Sequence, residues 1–254
     1  MDKTVVKALK ALELLCQTGG TWGVSDLARS LKLPKSNIHR LLSTLEAQGF
    51  VRQLPDKSYE LTFKIWELGL AVISRVDVKN VAPRHMKQLV KTTNESVLLA
   101  VLDGFDVVYI DKVESQQAIQ ATTKIGSRIP AHCVGTGKAM LAHQSQEYIE
   151  SFIRSARAYT KNTVHQKTAL LEQLRHVRIA GYAINRSEFR EGVSGVGSAI
   201  LDRDGKAVAA VGVWGPDERV SSRLEMLAKH VMRCAEEISH ELGFVAPRKS
   251  KLAS

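Results

Sequence analysis

The chain predicts an α+β fold in two parts, a winged helix-turn-helix and then a larger domain of strands and helices. Three observations carry that expectation. Residues 24–50, VSDLARSLKLPKSNIHRLLSTLEAQGF, hold two short stretches with apolar residues at helical spacing, broken at Leu33-Pro34. Two strand-like runs around a Pro55-Asp56-Lys57 turn follow directly, and then a helix with an unusually bulky apolar face. From about residue 96 onward, strand-like runs alternate with helical patterns, and Asp103-Gly104 and Asp204-Gly205 stand as hairpin turns between neighbouring runs.

The apolar run at 5–15 supplies a first helix that closes a small core. The second helix carries Val24, Leu27, Ala28 and Leu31 on one stripe. Proline is tolerated only in the first turn of a helix, so Leu33-Pro34 separates it from the third. That third helix turns Ile38, Leu41, Leu42 and Leu45 inward, and Gly49 ends it as a C-terminal cap. Its other face bears Lys35, Ser36, Asn37, His39, Arg40 and Ser43, side chains that donate to phosphates and base edges. Two helices of an ordinary bundle would give a similar stripe. The strand-like pair 50–52 and 58–61 favours a recognition helix followed by a wing, with Lys57 at the tip reaching the DNA backbone or minor groove.

Charge agrees with a polyanionic partner. The net charge is +10, and residues 29–57 hold six basic side chains (Arg29, Lys32, Lys35, Arg40, Arg52, Lys57) against Glu46 and Asp56. Arg248, Lys249 and Lys251 make a basic tail that reads as a disordered, solvated end. Length allows one or two domains, and 254 residues can bury a core without disulfides or metals. Cys16, Cys133 and Cys234 are widely spaced without CxxC pairing, against both a disulfide framework and a zinc site. No run of about 18 apolar residues occurs and the N-terminus lacks a hydrophobic signal core, so a soluble, cytoplasmic protein is expected.

After the wing, Phe63, Trp66, Leu70 and Ile73 share one face of a helix. That face needs cover, from the same helix of a second subunit or from its own chain. A second helix runs over 76–93, with Pro83 near an early kink or start, and the domain boundary falls near 74–80. Strands are expected at 96–102, 106–112, 118–123, 194–201 and 207–214, and helices at 137–142, 146–155, 168–180 and 221–242.

No enzyme motif in the chain is complete. Gly135-Thr136-Gly137-Lys138 is not a phosphate loop, because Ala139 stands where Ser or Thr should hold magnesium and His132 where the first glycine should be. Gly192-Val193-Ser194-Gly195-Val196 lacks the closing glycine of a nucleophile elbow. Gly192, Gly195 and Gly197 run opposite to a dinucleotide fingerprint, and the eight histidines have no ligand spacing. One segment does read as a binding site. Residues 129–141 run from a loop into a helix whose small first residues let an anion approach unpaired N–H groups, a carboxylate being the natural guest. Close packing at the helix start would demand the same glycines.

Four segments, LARSLKLPKSNIHRLLSTLEAQGFV, YELTFKIWELG, GSRIPAHCVGTGKAMLA and EGVSGVGSAILDRDGKAVAAVGVWGP, occur in an order and spacing that resemble the IclR family of bacterial transcriptional regulators. The resemblance spans nearly the whole chain. It implies a winged helix-turn-helix DNA-binding domain (1–62), a linker and dimerisation helix (63–79), a GAF-like α+β effector-binding domain (80–246) and a basic tail (247–254). It further implies homodimers, often paired into tetramers, a double-stranded DNA operator, a small-molecule effector, no membrane partner, no cofactor, no metal and no catalysis. Whether such a protein represses or activates stays open. Carried onto this sequence, the effector site falls on Ala118, Ala121, Ile129, Gly135, Thr136, Asn185, Gly195 and Ser198. Many relatives have an acidic residue where Asn185 stands and a cysteine where Gly195 stands. Both departures remove bulk or negative charge, which points to an anionic guest bulkier than a two- or three-carbon acid, an aromatic one included.

Overall fold

Apolar residues at helical spacing build the first unit around one small core. In a computed structural model describing residues 1–18, 20–73 and 77–245, the chain forms two compact units, Met1–Val76 and Asp77–Ser254. The basic tail from 247 onward lies outside the described residues. In the first unit, α1 (Lys3–Thr18), α2 (Val24–Leu31) and α3 (Lys35–Ala47) bring Leu15, Leu27, Ile38 and Leu42 together, with Val51 and Tyr59 of the following hairpin closing the cluster.

The break between α2 and α3 has a local cause. Lys32 adopts the left-handed conformation, φ 53°, and the Leu33 N–H folds back to Ala28 O at 3.0 Å. Pro34 then sits immediately before α3, one position earlier than a first-turn proline, and its carbonyl accepts from Asn37 and Ile38. At the other end, Gly49 at φ +75° lets its own N–H reach Glu46 O and the Phe50 N–H reach Leu45 O, a Schellman closure. The chain thereby reverses into β1 (Val51–Gln53) and β2 (Tyr59–Leu61), which pair antiparallel, Arg52 opposite Glu60. Trp22 adds a bridge to Tyr59. Next comes α4 (Lys64–Ile73).

The second unit begins with α5 (Val78–Thr93), a continuous helix with Pro83 inside its second turn. Six strands make one antiparallel sheet: β3 (Ser96–Asp103), β4 (Asp106–Val113), β5 (Arg128–Pro130), β6 (Ala183–Arg186), β7 (Val193–Leu201) and β8 (Ala207–Pro216). Their order is β5-β4-β3-β8-β7-β6. Both Asp-Gly turns stand where expected, joining β3 to β4 and β7 to β8. The pleat sends alternate residues to opposite faces. Leu98, Tyr109 and Ala210 pack with α6 (Gly135–Leu141), α7 (Gln146–Ile153) and α8 (Lys167–Ala180). The other face is covered by α5 and by α10 (Leu224–Glu241).

One expectation fails here, and two short strands were not foreseen. Residues 118–123 form no strand: Ile119 is exposed, and the place beside β4 is taken by β5, which the proline at 130 had hidden from the periodicity. The four-residue β6 was likewise too short to register. The helix expected at 221–242 stands as α10, preceded by a separate short α9 (Asp217–Ser221), with Arg223 out of helical geometry at φ −129° between them.

Candidate functional site

Two places stand out, one in each unit. On α3, burying Ile38, Leu41, Leu42 and Leu45 turns the opposite face outward, so Lys35, Ser36, Asn37, His39, Arg40 and Ser43 are all exposed. The basic side chains nearby divide into two groups. Arg29 is held by Asp26 at 3.2 Å and Arg52 by Glu60 at 2.5 Å, so both are internally compensated. Among the described residues Lys32, Lys35, Arg40 and Lys57 have no such partner, and they supply the unpaired positive charge of this unit's helix-turn-helix and wing. The wing tip is built to hold Lys57 outward. Lys57 takes φ +65°, its N–H donates to Leu54 O at 2.9 Å, and Asp56 accepts from the Ser58 hydroxyl (2.6 Å) and N–H (2.9 Å). Those bonds, the hydroxyl's first, hold the Asp56 carboxyl below its usual range. Lys64 anchors the start of α4 by donating to Gln48 O at 2.7 Å and lying over the Phe50 ring.

In α4 the apolar face is uncovered: Phe63, just before it, is 81 % exposed and Trp66 61 %. Leu68 and Leu70 are exposed too, and α1 shows Val5 and Leu9. The Ile73 side chain lies outside the described residues.

The second unit holds a cavity of about 70 Å³ between the sheet and the start of α6. At the ~10–15 Å³ that one water needs, this has room for about five, the scale of a small organic molecule and not of a nucleotide. Its walls come from Leu98 and Tyr109 of β3 and β4, Ile129 of β5, Gly135 and Thr136 of α6, Asn185 of β6, and Gly195 and Trp214 of β7 and β8. Phe189 and Arg190 close it from the β6–β7 connection, and Thr122 and Thr123 from the irregular segment before β5. Burial pushes the Tyr109 phenol up to about 12, although the neighbouring Thr136 hydroxyl draws it down. Thr136 Oγ1 and Trp214 Nε1 are buried without a hydrogen-bond partner of full geometry. Asn185 Oδ1 accepts from the Glu188 N–H at 2.9 Å, which leaves its amide hydrogens free to donate.

Five of the eight residues expected at an effector site therefore come together: Ile129, Gly135, Thr136, Asn185 and Gly195. Ala118, exposed on the irregular segment, does not line this cavity, and Ala121 lines a small adjoining pocket instead. Ser198 faces the other way. It is three residues from Gly195 on one strand, so the pleat puts it on the opposite face, where its hydroxyl donates to Gly181 O at 2.7 Å. The glycines at the start of α6 do pack closely: a Cβ on Gly135 would stand 2.7 Å from Gly197 N, and one on Gly137 would overlap the Ala131 carbonyl. Packing and access to the cavity thus use the same residues.

What holds this wall in place leaves no local signal in the sequence. Lys138 is fully buried and donates to Glu188 at 2.6 Å, tying α6 to the β6–β7 connection. Glu188 also accepts from the Arg186 N–H, and its carbonyl accepts from the Thr163 hydroxyl at 2.6 Å. Lys138 sits in the rejected phosphate-loop string, and only its later burial distinguishes it from a surface lysine. A second buried carboxylate, Glu95, is held by Arg219 (2.7 Å) and Arg223 (2.5 Å).

Residues 4–55 match the IclR helix-turn-helix domain, and residues 70–240 match the bacterial transcriptional regulator IclR C-terminal domain. The chain is 32 % identical over 244 residues to the HTH-type transcriptional repressor AllR of Escherichia coli K12, covering 94 % of this chain and 90 % of that one. The crystal structure of the Thermotoga maritima IclR superposes with a TM-score of 0.79 at 31 % identity, covering 95 % of this chain and 99 % of that one. An IclR homolog from Microbacterium hydrocarbonoxydans, crystallised with 4-hydroxybenzoate, superposes with a TM-score of 0.82 at 23 % identity, with 94 % and 99 % covered.

Proposed function

Because the chain belongs to the IclR family of DNA-binding transcriptional regulators, we propose that it controls a catabolic operon in answer to a small carboxylate-bearing effector. It is a regulator and not an enzyme. In this reading α3 lies in the major groove with Lys35, Ser36, Asn37, His39, Arg40 and Ser43 toward phosphates and base edges, and Lys57 reaches the backbone from the wing. Two copies pair through the uncovered face of α4, and such dimers can pair again. The apolar area left open by Phe63, Trp66 and Leu70 supports this, since burying it is worth about 25 cal/mol per Å². Among the described residues no helix is long and apolar enough to cross a membrane, in keeping with a cytoplasmic site of action on DNA.

One observation carries the effector half: an apolar cavity, walled by the start of α6, with Asn185 as a neutral donor among its lining residues and no acidic residue. Such a site admits a small anion. The 4-hydroxybenzoate held by the Microbacterium homolog supports a carboxylate here as well.

The test uses the whole protein and the DNA upstream of its own gene. Ligand released by denaturing the purified protein is identified by mass spectrometry, then added back to a DNA-binding titration. The reading expects saturable binding that survives random competitor DNA and shifts by roughly fivefold or more with ligand. Equal affinity for random DNA would make the protein a sequence-independent DNA binder. Turnover of the ligand would make it an enzyme fused to a DNA-binding domain.

A further inference from the structure

The second unit also has an open groove of about 870 Å³ at one end of its sheet. Its floor is β6, the last strand in the order β5-β4-β3-β8-β7-β6, and its wall is the first two turns of α10. α10 lies over β7 and β8, so Ile184 and Arg186, which the pleat sends to the same face, line the groove instead. The backbone there is open as well. The Arg186 N–H turns to Glu188 Oε1 at 3.3 Å and not to β7. Antiparallel pairs alternate, so Ile184, two residues back, also directs its N–H and C=O away from β7, along the free edge. No other strand, turn or side chain among the described residues takes them. Charge at the groove is mostly positive. Arg186 and Lys229 are exposed and have no ionic partner among the described residues. Arg223 adds to them, because it shares the single Glu95 carboxylate (2.5 Å) with Arg219 (2.7 Å), two cations on one anion. Glu225 is the one acidic residue of the lining, and between the charges lie the partly buried side chains of Ile184, Leu224 and Met226.

We propose that this groove docks an acidic segment of a partner protein as an added strand along β6. Carboxylates of the guest meet Arg186 and Lys229, and an apolar residue between them meets Ile184, Leu224 and Met226. Strand addition gives the free edge its missing partners, and alternate guest side chains facing the groove supply the selectivity. The guest therefore presents acid, apolar, acid at every second position, with the apolar residue opposite Ile184. A second copy of this chain fits less well, since a two-fold axis would bring the same basic rim against itself. A nucleic acid would match the charge but not the alternating donors and acceptors of a strand edge. The groove is independent of the effector cavity, which takes Asn185 on the opposite face of β6.

The test is fluorescence anisotropy on the full-length protein with a labelled peptide, Thr-Glu-Thr-Val-Thr-Glu-Thr, blocked at both ends. Two further peptides carry glutamine for both glutamates, or N-methylvaline for the valine. The acidic peptide should bind the parent with a Kd below about 1 mM, at least about tenfold more tightly than the glutamine peptide. N-methylation removes the N–H offered to the Ile184 carbonyl and should cost at least about tenfold. The double variant Arg186→Gln, Lys229→Gln should bring the acidic and glutamine peptides to nearly equal affinity. Ile184→Pro, at an edge position whose N–H β7 does not use, should abolish binding. Should that variant unfold, the N-methyl peptide still tests the strand pairing. Absence of binding at about 1 mM overturns the proposal. A preference for acid preserved in the double variant also overturns it, by moving the peptide to another basic surface. Full affinity for the N-methyl peptide overturns strand addition. If the double variant instead loses affinity for random duplex DNA and keeps its affinity for the peptide, the groove binds nucleic acid. If it sediments as a smaller assembly than the parent, the groove belongs to a second copy and the proposal falls.

Discussion

Arg40 and Ser36 stand one helical turn apart on the outward face of α3, and neither is needed to hold the helix in place, since Ile38, Leu41 and Leu42 do that from the other side. Replacing either with alanine should cost about 1–3 kcal/mol of operator binding and relax sequence preference at one base pair, with an unchanged thermal melt. A gel-shift titration in which Arg40→Ala binds like the parent would remove it from the base-reading surface. The buried Lys138–Glu188 pair makes a different prediction. Lys138→Met leaves a desolvated carboxylate without its partner, a loss of about 3–5 kcal/mol in the second unit. Urea unfolding should show the midpoint fall, and adding Glu188→Leu should recover part of the loss, because removing both charges removes the penalty. The face of α3 was legible in the sequence because a 3.6-residue period separates buried from exposed positions. The Lys138 pair was not, because its partner lies fifty residues away and nothing local marks a lysine as buried.

At the scale of elements, the wing and α4 carry separate tasks. Lys57 at the hairpin tip is unpaired and held outward by the turn, so as a phosphate contact it acts on all sequences alike. Lys57→Ala should weaken operator and random DNA by the same factor and reduce the slope of log K against log salt by about one. Loss of discrimination between the two would instead make Lys57 a base reader. For α4, Trp66→Glu puts a charge on the face proposed to be buried between subunits, and sedimentation should show smaller species in that variant. Assembly like the parent's would mean that the interface lies elsewhere. Elements that bury a face against their neighbours were foreseen from periodicity, which covers α2, α3, β3, β4, β7 and β8. Residues 118–123 alternated like a strand, yet pairing requires an open neighbour, and β5 occupies that edge.

For the molecule as a whole, the prediction is coupling between two sites in separate units. If effector and operator each bias the same equilibrium, each changes the other's affinity by one factor, typically about 1–3 kcal/mol. The path along the chain runs through α4, which joins the DNA-reading unit to the cavity-bearing one. Thr136 is 6 % exposed and lines the cavity, so Thr136→Phe should fill it, leave DNA binding in place and abolish the ligand-dependent shift. A variant that still shifts normally in a DNA titration would move the effector site out of this cavity.

Amphipathic period, capping glycine and turn residues act over a few neighbours. The sequence by itself therefore determined the helix-turn-helix, its outward face, the Asp-Gly hairpins and the α+β class. Family resemblance extended this to a ligand site, and five of its eight residues meet at one cavity. Only the tertiary structure decided which residues face that cavity. Gly195 and Ser198 are neighbours in sequence but sit on opposite faces of β7, while Arg190, Tyr109 and Trp214 converge from three distant segments. The physical reason is that a pleated sheet sorts side chains by parity, and that burial and pairing of charge depend on which strands and helices become neighbours.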